Sequence, residues 1–280
     1  MMIAVGTFAV MDSCLKLLSP HYPPLEIASL RGLSTLPFVI VWIAASGGFR
    51  SLARVRMPLH IVRAALGIMM VAFFTYGVRK LPLADAYSIF FVAPLLITIL
   101  AAVILRERVD QRRWWAIAVG FCGVLIVLRP TGANAITLPG IAILVCALGY
   151  AFSAITVRVL ARTDTTQAMV FWLMTFIAIG AGALAFPTWQ PVRGEHVWIV
   201  AVLGLSGSIG QWSITEAFRR GEASFIAPFE YTALVWGIAF DWFIWHTTPS
   251  LVTLAGASVI IGSGVYLVRH EHVHATAEHP

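Results

Sequence analysis

Ionisable side chains are scarce inside the apolar runs of this sequence, and their types suit binding better than bond-making. Asp12 and Lys16 stand one helical turn apart, acid before base, a spacing at which the two can pair. A local ion pair and a place in a polar cavity are both open to them. Glu216 precedes Arg219 and Arg220 by three and four residues, so pairing at a helix end is expected. Glu230 follows Pro228 by two residues and has no basic neighbour within a turn. Proline removes a backbone donor and clashes with the preceding turn, so nearby carbonyls must find other partners. A carboxylate beside such a break could face a wet cavity and hold an amine or a proton. Satisfying polar groups at a helix contact is the plainer alternative. Asp241, farther along the same segment, is expected at an interface. Arg31 could anchor a carboxylate, although snorkelling toward an interface is the simpler expectation.

No arrangement supports catalysis, so the chain is not expected to be an enzyme, and no cofactor or metal is expected. Cys14, Cys122 and Cys146 lie in apolar runs without metal-ligand spacing and are read as small packing residues. No Ser–His–Asp order, nucleophile elbow or Walker A loop can be argued. The terminal RHEHVHATAEHP is histidine-rich, for which a mobile polar tail is a simpler account than a metal site.

The elements that must position these groups follow from composition. Of 280 residues, 59% are hydrophobic and 11% charged, with a mean hydropathy of +0.86. Soluble domains carry about 25% charged residues, which points away from a water-soluble fold. The apolar runs are continuous over helix length, unlike the alternation of an outer-membrane barrel. A helix needs about 20 residues to cross a bilayer core. Ten spans fit, at 2–18, 25–46, 61–79, 84–105, 113–129, 137–159, 167–187, 197–218, 223–245 and 250–268. With the N terminus in the cytoplasm, 13 of the 19 Lys and Arg residues fall on the inner side, Arg50, Arg54, Arg56 and Arg63 among them. That bias puts both termini inside. The first span lacks the pattern of a cleaved signal peptide and is expected to be retained.

A repeat organises the spans. RKLPLADAYSIFFVAPLLITILAAVILRERV recurs 140 residues later as RRGEASFIAPFEYTALVWGIAFDWFIWHTTP. Arg79 falls on Arg219, Gly67 on Gly207 and Thr75 on Thr215, while Lys16 falls on Arg158 at a shift of 142. Five spans per copy is odd, so the second copy enters the membrane from the other side, giving an inverted repeat. The expected fold is an all-α polytopic membrane protein of ten transmembrane helices in two inverted five-helix repeats, residues 1–135 and 136–269, with a cytoplasmic polar tail, 270–280. Gly120 and Gly123, Gly180 and Gly182, Gly204, Gly207 and Gly210, and Gly256, Gly262 and Gly264 are read as close-packing positions.

ILRERV after span 4, GFCGVLIV in span 5, and APFEYTALVWG and GSGVYLV in the last spans resemble the EamA family of the drug/metabolite transporter superfamily. The resemblance covers nearly the whole chain and is nearest to the YddG-type amino-acid exporters. It implies export or exchange of small metabolites through a central cavity by alternating access, with spans 5 and 10 as outer buttresses. The family's acidic residue after span 4 is Glu107; its counterpart after span 9 is Thr247, which puts a shared role in doubt.

For a cavity, the sequence offers Asp12, Phe74, Tyr76, Tyr87, Phe90, Phe91, Tyr150, Ser153, Gln211, Trp212, Thr215, Glu230, Tyr231 and Trp236. Donors and acceptors among them could hold a zwitterionic head group, and the rings could wall a side chain. Lipid or helix contact is the competing reading for each aromatic. Pro94 and Pro228 are candidate bends, as hinges or as plain kinks. The expected function is export or exchange of amino acids, aromatic or otherwise neutral, across the bacterial inner membrane. Efflux of cationic drugs and transport of another metabolite, such as a nucleoside or sugar derivative, are the alternatives. A proton or counter-substrate as driving partner, and monomer or homodimer, are left open. No nucleic-acid partner is expected, because the arginines sit at helix ends.

Overall fold

The computed structural model describes residues 1–53, 55–107, 110–128 and 137–247, with 251–252, 254–256, 258–259, 262–263 and 266. Arg54, Arg108, the RPTGANA loop with Arg129, residues 248–250, Gly264, Arg269 and the tail lie outside them. So do the side chains of Arg112, Arg113 and Pro228.

The described chain is a bundle of helices. They are α1 (Met2–Leu18), α2 (Pro24–Ala45), α3 (Met57–Val78), α4 (Leu83–Phe90), α5 (Val92–Leu100), α6 (Gln111–Leu128), α7 (Leu138–Leu160) and α8 (Thr166–Ala185). Then follow α9 (Val197–Arg220), α10 (Ala223–Ile226) and α11 (Ala233–Trp245). Among the described residues, six segments are long and apolar enough to cross a membrane: Pro24–Ala45, Met57–Val78, Leu83–Leu105, Leu138–Leu160, Thr166–Thr188 and Gly194–Arg220. Each described position from 251 to 266 is helical. Large apolar side chains are exposed along the outside, Val103, Leu184, Trp198 and Phe243 among them, which suits contact with lipid.

Helix bounds lie within four residues of the expected spans. The largest shift is in α3, which begins at Met57 rather than 61 because Pro58 sits in its first turn, where the missing N–H costs nothing. That shift carries Arg63 two turns into the helix.

The fourth and ninth spans are broken. Pro94 cannot bond to Phe90 four residues back, and the chain turns at Phe91, between α4 and α5. In the ninth span a 3-10 segment, Ala227–Thr232, separates α10 from α11 and contains Pro228. The two spans also end alike. Arg106 and His246, 140 residues apart, both take the left-handed conformation, with φ of 57° and 52°. Glu107 N–H donates to the Ala101 carbonyl, and Thr247 N–H to the Asp241 carbonyl, at 3.2 and 3.0 Å.

Packing is reciprocal between the halves: α1 lies on α9 and α3 on α7, α2 on α9 and α3 on α8, and α2 on α8. Small residues bring these helices together. A methyl on Gly32 would fall 2.7 Å from Ala178 N, and one on Gly204 2.3 Å from the Ser34 carbonyl oxygen. Gly207 and Gly210 sit against Thr35 and Phe8, and Gly120 against Tyr231. Gly262 has nothing within 4 Å among the described residues, so the packing role expected for it is not seen. Cys14 and Cys146 are buried, whereas Cys122 is exposed.

The bundle has two ends. The start of α1 clusters with Ala101, Leu160, Phe218 and Ala223, and the end of α1 with Tyr22, Val78, Leu83 and Ile199. Arg106, Arg158, Arg162, Arg219 and Arg220 belong to the first, basic end. There the turn after α7 is clamped to the start of α3: Asp164 accepts from Arg56 N–H at 3.2 Å and lies 2.8 Å from His60 Nε2. Burial alone would raise the Asp164 carboxyl, but bonds from Thr163, His60 and Arg56 outweigh it and hold the group below its ordinary value.

Two outcomes follow from this packing. Gly204→Ala should lower stability by about 1–3 kcal/mol through overpacking of α2 on α9, read by thermal unfolding in detergent, whereas Gly262→Ala should be silent. A native carboxyl value below the unfolded one gives stability that is present above the ordinary range and lost as pH falls through the native value. Asp164→Asn should therefore destabilise at neutral pH, and the gap from the parent should close below about pH 4; a gap unchanged in acid would refute the ionised clamp.

Candidate substrate cavity

A cavity of about 170 Å³ opens between α1, α2, α3, α7, α8, α9 and the two broken spans. Its walls are mainly apolar, with Phe8, Val71, Phe74, Phe90, Phe91 and Ile177 among them. The polar groups are few: Asp12, Arg31, Tyr87, Tyr150, Ser153, Gln211 and Glu230. A mostly apolar pocket with a few convergent polar groups is the usual form of a small-molecule site.

Nine of the expected residues line it: Asp12, Phe74, Tyr87, Phe90, Phe91, Tyr150, Ser153, Gln211 and Glu230. Five do not. Tyr76 lies two residues past Phe74, about 200° around the helix, and is half-buried elsewhere. Trp212 is turned away from Gln211 and is 43% exposed, edge-on to Trp42 at 6.0 Å. Trp236 is also exposed and stacks on Phe240. Tyr231 is buried behind the wall, edge-on to Phe91 at 5.2 Å. Thr215 sits under the floor, joined to Gln211 Nε2 at 3.3 Å. Pro94 is buried in α5 outside the lining.

Each carboxylate of the cavity takes a bond from a tyrosine. Tyr87 OH donates to Asp12 Oδ2 at 2.8 Å, and Tyr150 OH to Glu230 Oε1 at 2.7 Å. One pair joins α4 to α1 and the other joins α7 to the ninth span. Glu230 is 5% exposed, and its Oε2 has no hydrogen-bond partner among the described residues. Of the two readings open to Asp12 and Lys16, the local ion pair is not formed, because both side chains find partners on other helices.

Two arginines depart from expectation. Arg31 does not snorkel: it is 8% exposed, lines the cavity, and its Nη2 donates to Gln211 Oε1 at 3.2 Å. Arg63, grouped by sequence with the inner-surface charges, is 1% exposed. Its Nη1 donates to the Met169 carbonyl at 3.1 Å and its Nη2 to Thr215 Oγ1 at 3.3 Å. Among the described residues neither guanidinium has a carboxylate within 4.0 Å. The signal available in sequence was each arginine's depth within an apolar run.

Above and below the cavity, a cation and an acid hold the start of each broken span. Away from the basic end, Asp241 Oδ1 and Oδ2 accept from the N–H groups of Leu83 and Ala84 at 3.3 and 2.9 Å, at the start of α4. Lys16 Nζ lies 3.1 Å from Asp241 Oδ1 and 4.2 Å from the centre of the Trp245 ring. At the basic end, Glu107 Oε1 accepts from Ala223 N–H and from Arg158 Nη2, both at 3.3 Å. Leu83 and Ala223 correspond under the repeat, as do Lys16 and Arg158. The position matching Glu107 is Thr247, but Asp241, six residues earlier, does its work. Asp241, expected at an interface, is therefore a buried cap. Glu216 pairs with Arg219 and Arg220 as expected, at 3.9 and 2.5 Å.

Removing one partner of a buried pair costs about 3–5 kcal/mol. Asp241→Ala should destabilise on that scale in detergent unfolding, and Asp241→Asn less, since its amide oxygen can still cap α4. Equal losses would mean that capping contributes nothing.

Comparison with known proteins gives these features a family. The model of the EamA-like transporter family matches residues 1–129 and again 138–269. A pseudopaline exporter of Pseudomonas aeruginosa is 24% identical over 268 residues, covering 95% of this chain and 94% of its own. A riboflavin transporter of Vibrio cholerae is 25% identical, covering 97% and 92%. An S-adenosylmethionine uptake transporter of Rickettsia prowazekii is 26% identical, covering 99% and 94%. One solved crystal structure covers 94% of this chain and 93% of its own at a TM-score of 0.75 and 18% identity, a likeness of fold alone. The chain belongs to the EamA-like transporter family and is a multi-pass membrane transporter rather than an enzyme.

Proposed function

We propose that this transporter moves small metabolites bearing an amino-acid head group, free amino acids first, out of a bacterial cytoplasm across the inner membrane. The observation that carries the reading is one cavity holding a buried guanidinium, Arg31, with no carboxylate within 4.0 Å among the described residues, together with two carboxylates, Asp12 and Glu230. A charge buried in the membrane interior costs about 2.5–3.5 kcal/mol on insertion scales, and Asp12 offsets that of Arg31 only from beyond 4.0 Å, which leaves room for a partner that arrives. A substrate carboxylate on Arg31 and an ammonium on Asp12 or on the free oxygen of Glu230 would complete both. Phe74, Phe90 and Phe91 then receive the side chain. The relatives are named for pseudopaline, riboflavin and S-adenosylmethionine, so the amino-acid reading draws on the cavity rather than on them.

The architecture proposed for this task is ten helices in two inverted halves, 1–135 and 136–269, with both termini and the basic end in the cytoplasm. The reciprocal packing of the halves and the matched ends of the fourth and ninth spans support it. In alternating access, the Lys16–Asp241 and Arg158–Glu107 contacts would open in turn. The breaks at Phe91 and at Ala227–Thr232 would serve as the hinges.

A second reading, efflux of cationic drugs, is favoured by the unpartnered oxygen of Glu230. The two part on Arg31. In proteoliposomes given a labelled amino-acid panel, with and without a pH gradient, saturable uptake is expected. Arg31→Gln should raise KM about ten- to hundredfold, the scale of a lost charge-assisted bond. Glu230→Gln should remove any stimulation by the gradient. Transport of quaternary amines untouched by Arg31→Gln would select the drug reading instead.

A further inference from the structure

Arg63 is not among the residues that line the cavity, yet a chain of hydrogen bonds leads from it to Arg31. Arg63 Nη2 donates to Thr215 Oγ1 at 3.3 Å, and Gln211 Nε2 donates to the same oxygen at 3.3 Å. Gln211 Oε1 then accepts from Arg31 Nη2 at 3.2 Å. The chain passes from α3 to two residues one turn apart on α9, and on to α2, through groups that are all buried.

Its polarity is set from both ends, because each guanidinium can only donate. Thr215 must therefore present a lone pair toward Arg63. The amide of Gln211 could face Thr215 with either end. With its NH2 toward Thr215, its oxygen meets Arg31; reversed, two donors would oppose each other at Arg31. Arg63 is itself fixed by the Met169 carbonyl at 3.1 Å and has no competing carboxylate within 4.0 Å among the described residues. A second buried guanidinium without an acid is costly, and packing alone does not call for one.

We infer that Arg63 is a positioning residue for substrate selection: it holds the Thr215 hydroxyl, which holds the amide of Gln211, which in turn holds the Arg31 guanidinium toward the carboxylate of an amino-acid substrate. This rests on the anchoring role proposed for Arg31. Loss of the relay leaves the cavity in place but lets Gln211 turn and Arg31 swing, so the carboxylate group of a substrate is no longer favoured.

The test compares phenylalanine with phenylethylamine, which keeps the ring and ammonium but lacks the carboxylate. Each competes for labelled phenylalanine uptake into proteoliposomes of the full-length protein. Arg31→Gln should weaken phenylalanine about tenfold or more and leave phenylethylamine within about twofold. Thr215→Val, close in shape, should weaken phenylalanine severalfold with the same indifference to phenylethylamine, and Arg63→Gln should behave alike. Thr215→Ser, which keeps the hydroxyl, should match the parent. In an Arg31→Gln background, Thr215→Val should add nothing, the mark of two residues acting as one unit. If Thr215→Val weakens both probes equally, or spares phenylalanine while Arg31→Gln does not, the relay is overturned and the amino-acid reading stands. If Arg31→Gln itself leaves phenylalanine unchanged, the reading of the cavity fails, and the relay with it.

Discussion

A helix broken inside a membrane must find partners for its freed backbone groups, because hydrocarbon offers none. Much of this structure answers that constraint. The fourth and ninth spans each start anew within reach of an acid from the opposite half, Asp241 for α4 and Glu107 for α10. Each acid carries a charge that needs its own partner, and Lys16 and Arg158 supply it from the ends of α1 and α7. Backbone capping and charge pairing are thus one contact at each end of the bundle. Because each such contact joins helices from both halves, the ends cannot separate without exposing backbone donors and an ion pair together. That cooperativity is what a two-state closure needs, and it arises from breaks that also shape the cavity wall.

The cavity sets two kinds of polar group against each other. Both carboxylates are partnered by phenols, which offer one proton each and leave the remaining carboxylate oxygens to other donors. Both guanidiniums rest on neutral acceptors: Gln211, Thr215 and a backbone carbonyl. Neutral acceptors satisfy geometry without cancelling charge, so Arg31, with Asp12 as a counter-charge beyond 4.0 Å, keeps its attraction for an anion at short range. Had either been matched by an acid within 4.0 Å, an incoming carboxylate would gain far less.

Span positions were legible because twenty apolar residues leave little choice of register, and α7, α8 and α9 fall within two residues of the expected bounds. The repeat was legible for a similar reason, since equal helix ends use similar residues. Partnerships were not. Spacing along one helix allowed Asp12 to pair with Lys16, whereas the structure joins Lys16 to Asp241 across 225 positions and Asp12 to Tyr87 across 75. Helix-face geometry explains the aromatic misses: a single residue step turns the chain by about 100°, enough to put Gln211 inside and Trp212 outside. Arg63 escaped because its helix starts one turn early, at a proline that hydropathy alone discounts.

The two end contacts also show what a repeat retains when its residues drift. Glu107 and Thr247 occupy equivalent positions just after a left-handed residue, and their backbone N–H groups make equivalent bonds. The acid has nevertheless moved six residues in the second copy, onto the helix itself. Thr247 donates both its N–H and its hydroxyl to the Asp241 carbonyl, which steadies the turn beside the displaced acid. The consequence is an asymmetry of environment. Lys16 is the more buried cation and lies over Trp245, while Arg158 is a quarter exposed at the basic end. Ion pairs strengthen as water is excluded, and solvent-exposed ones are screened by salt. The contact at the basic end is thus the one more open to screening by salt. Equivalent backbone demands at the two broken spans have thus been met by ion pairs of unequal exposure.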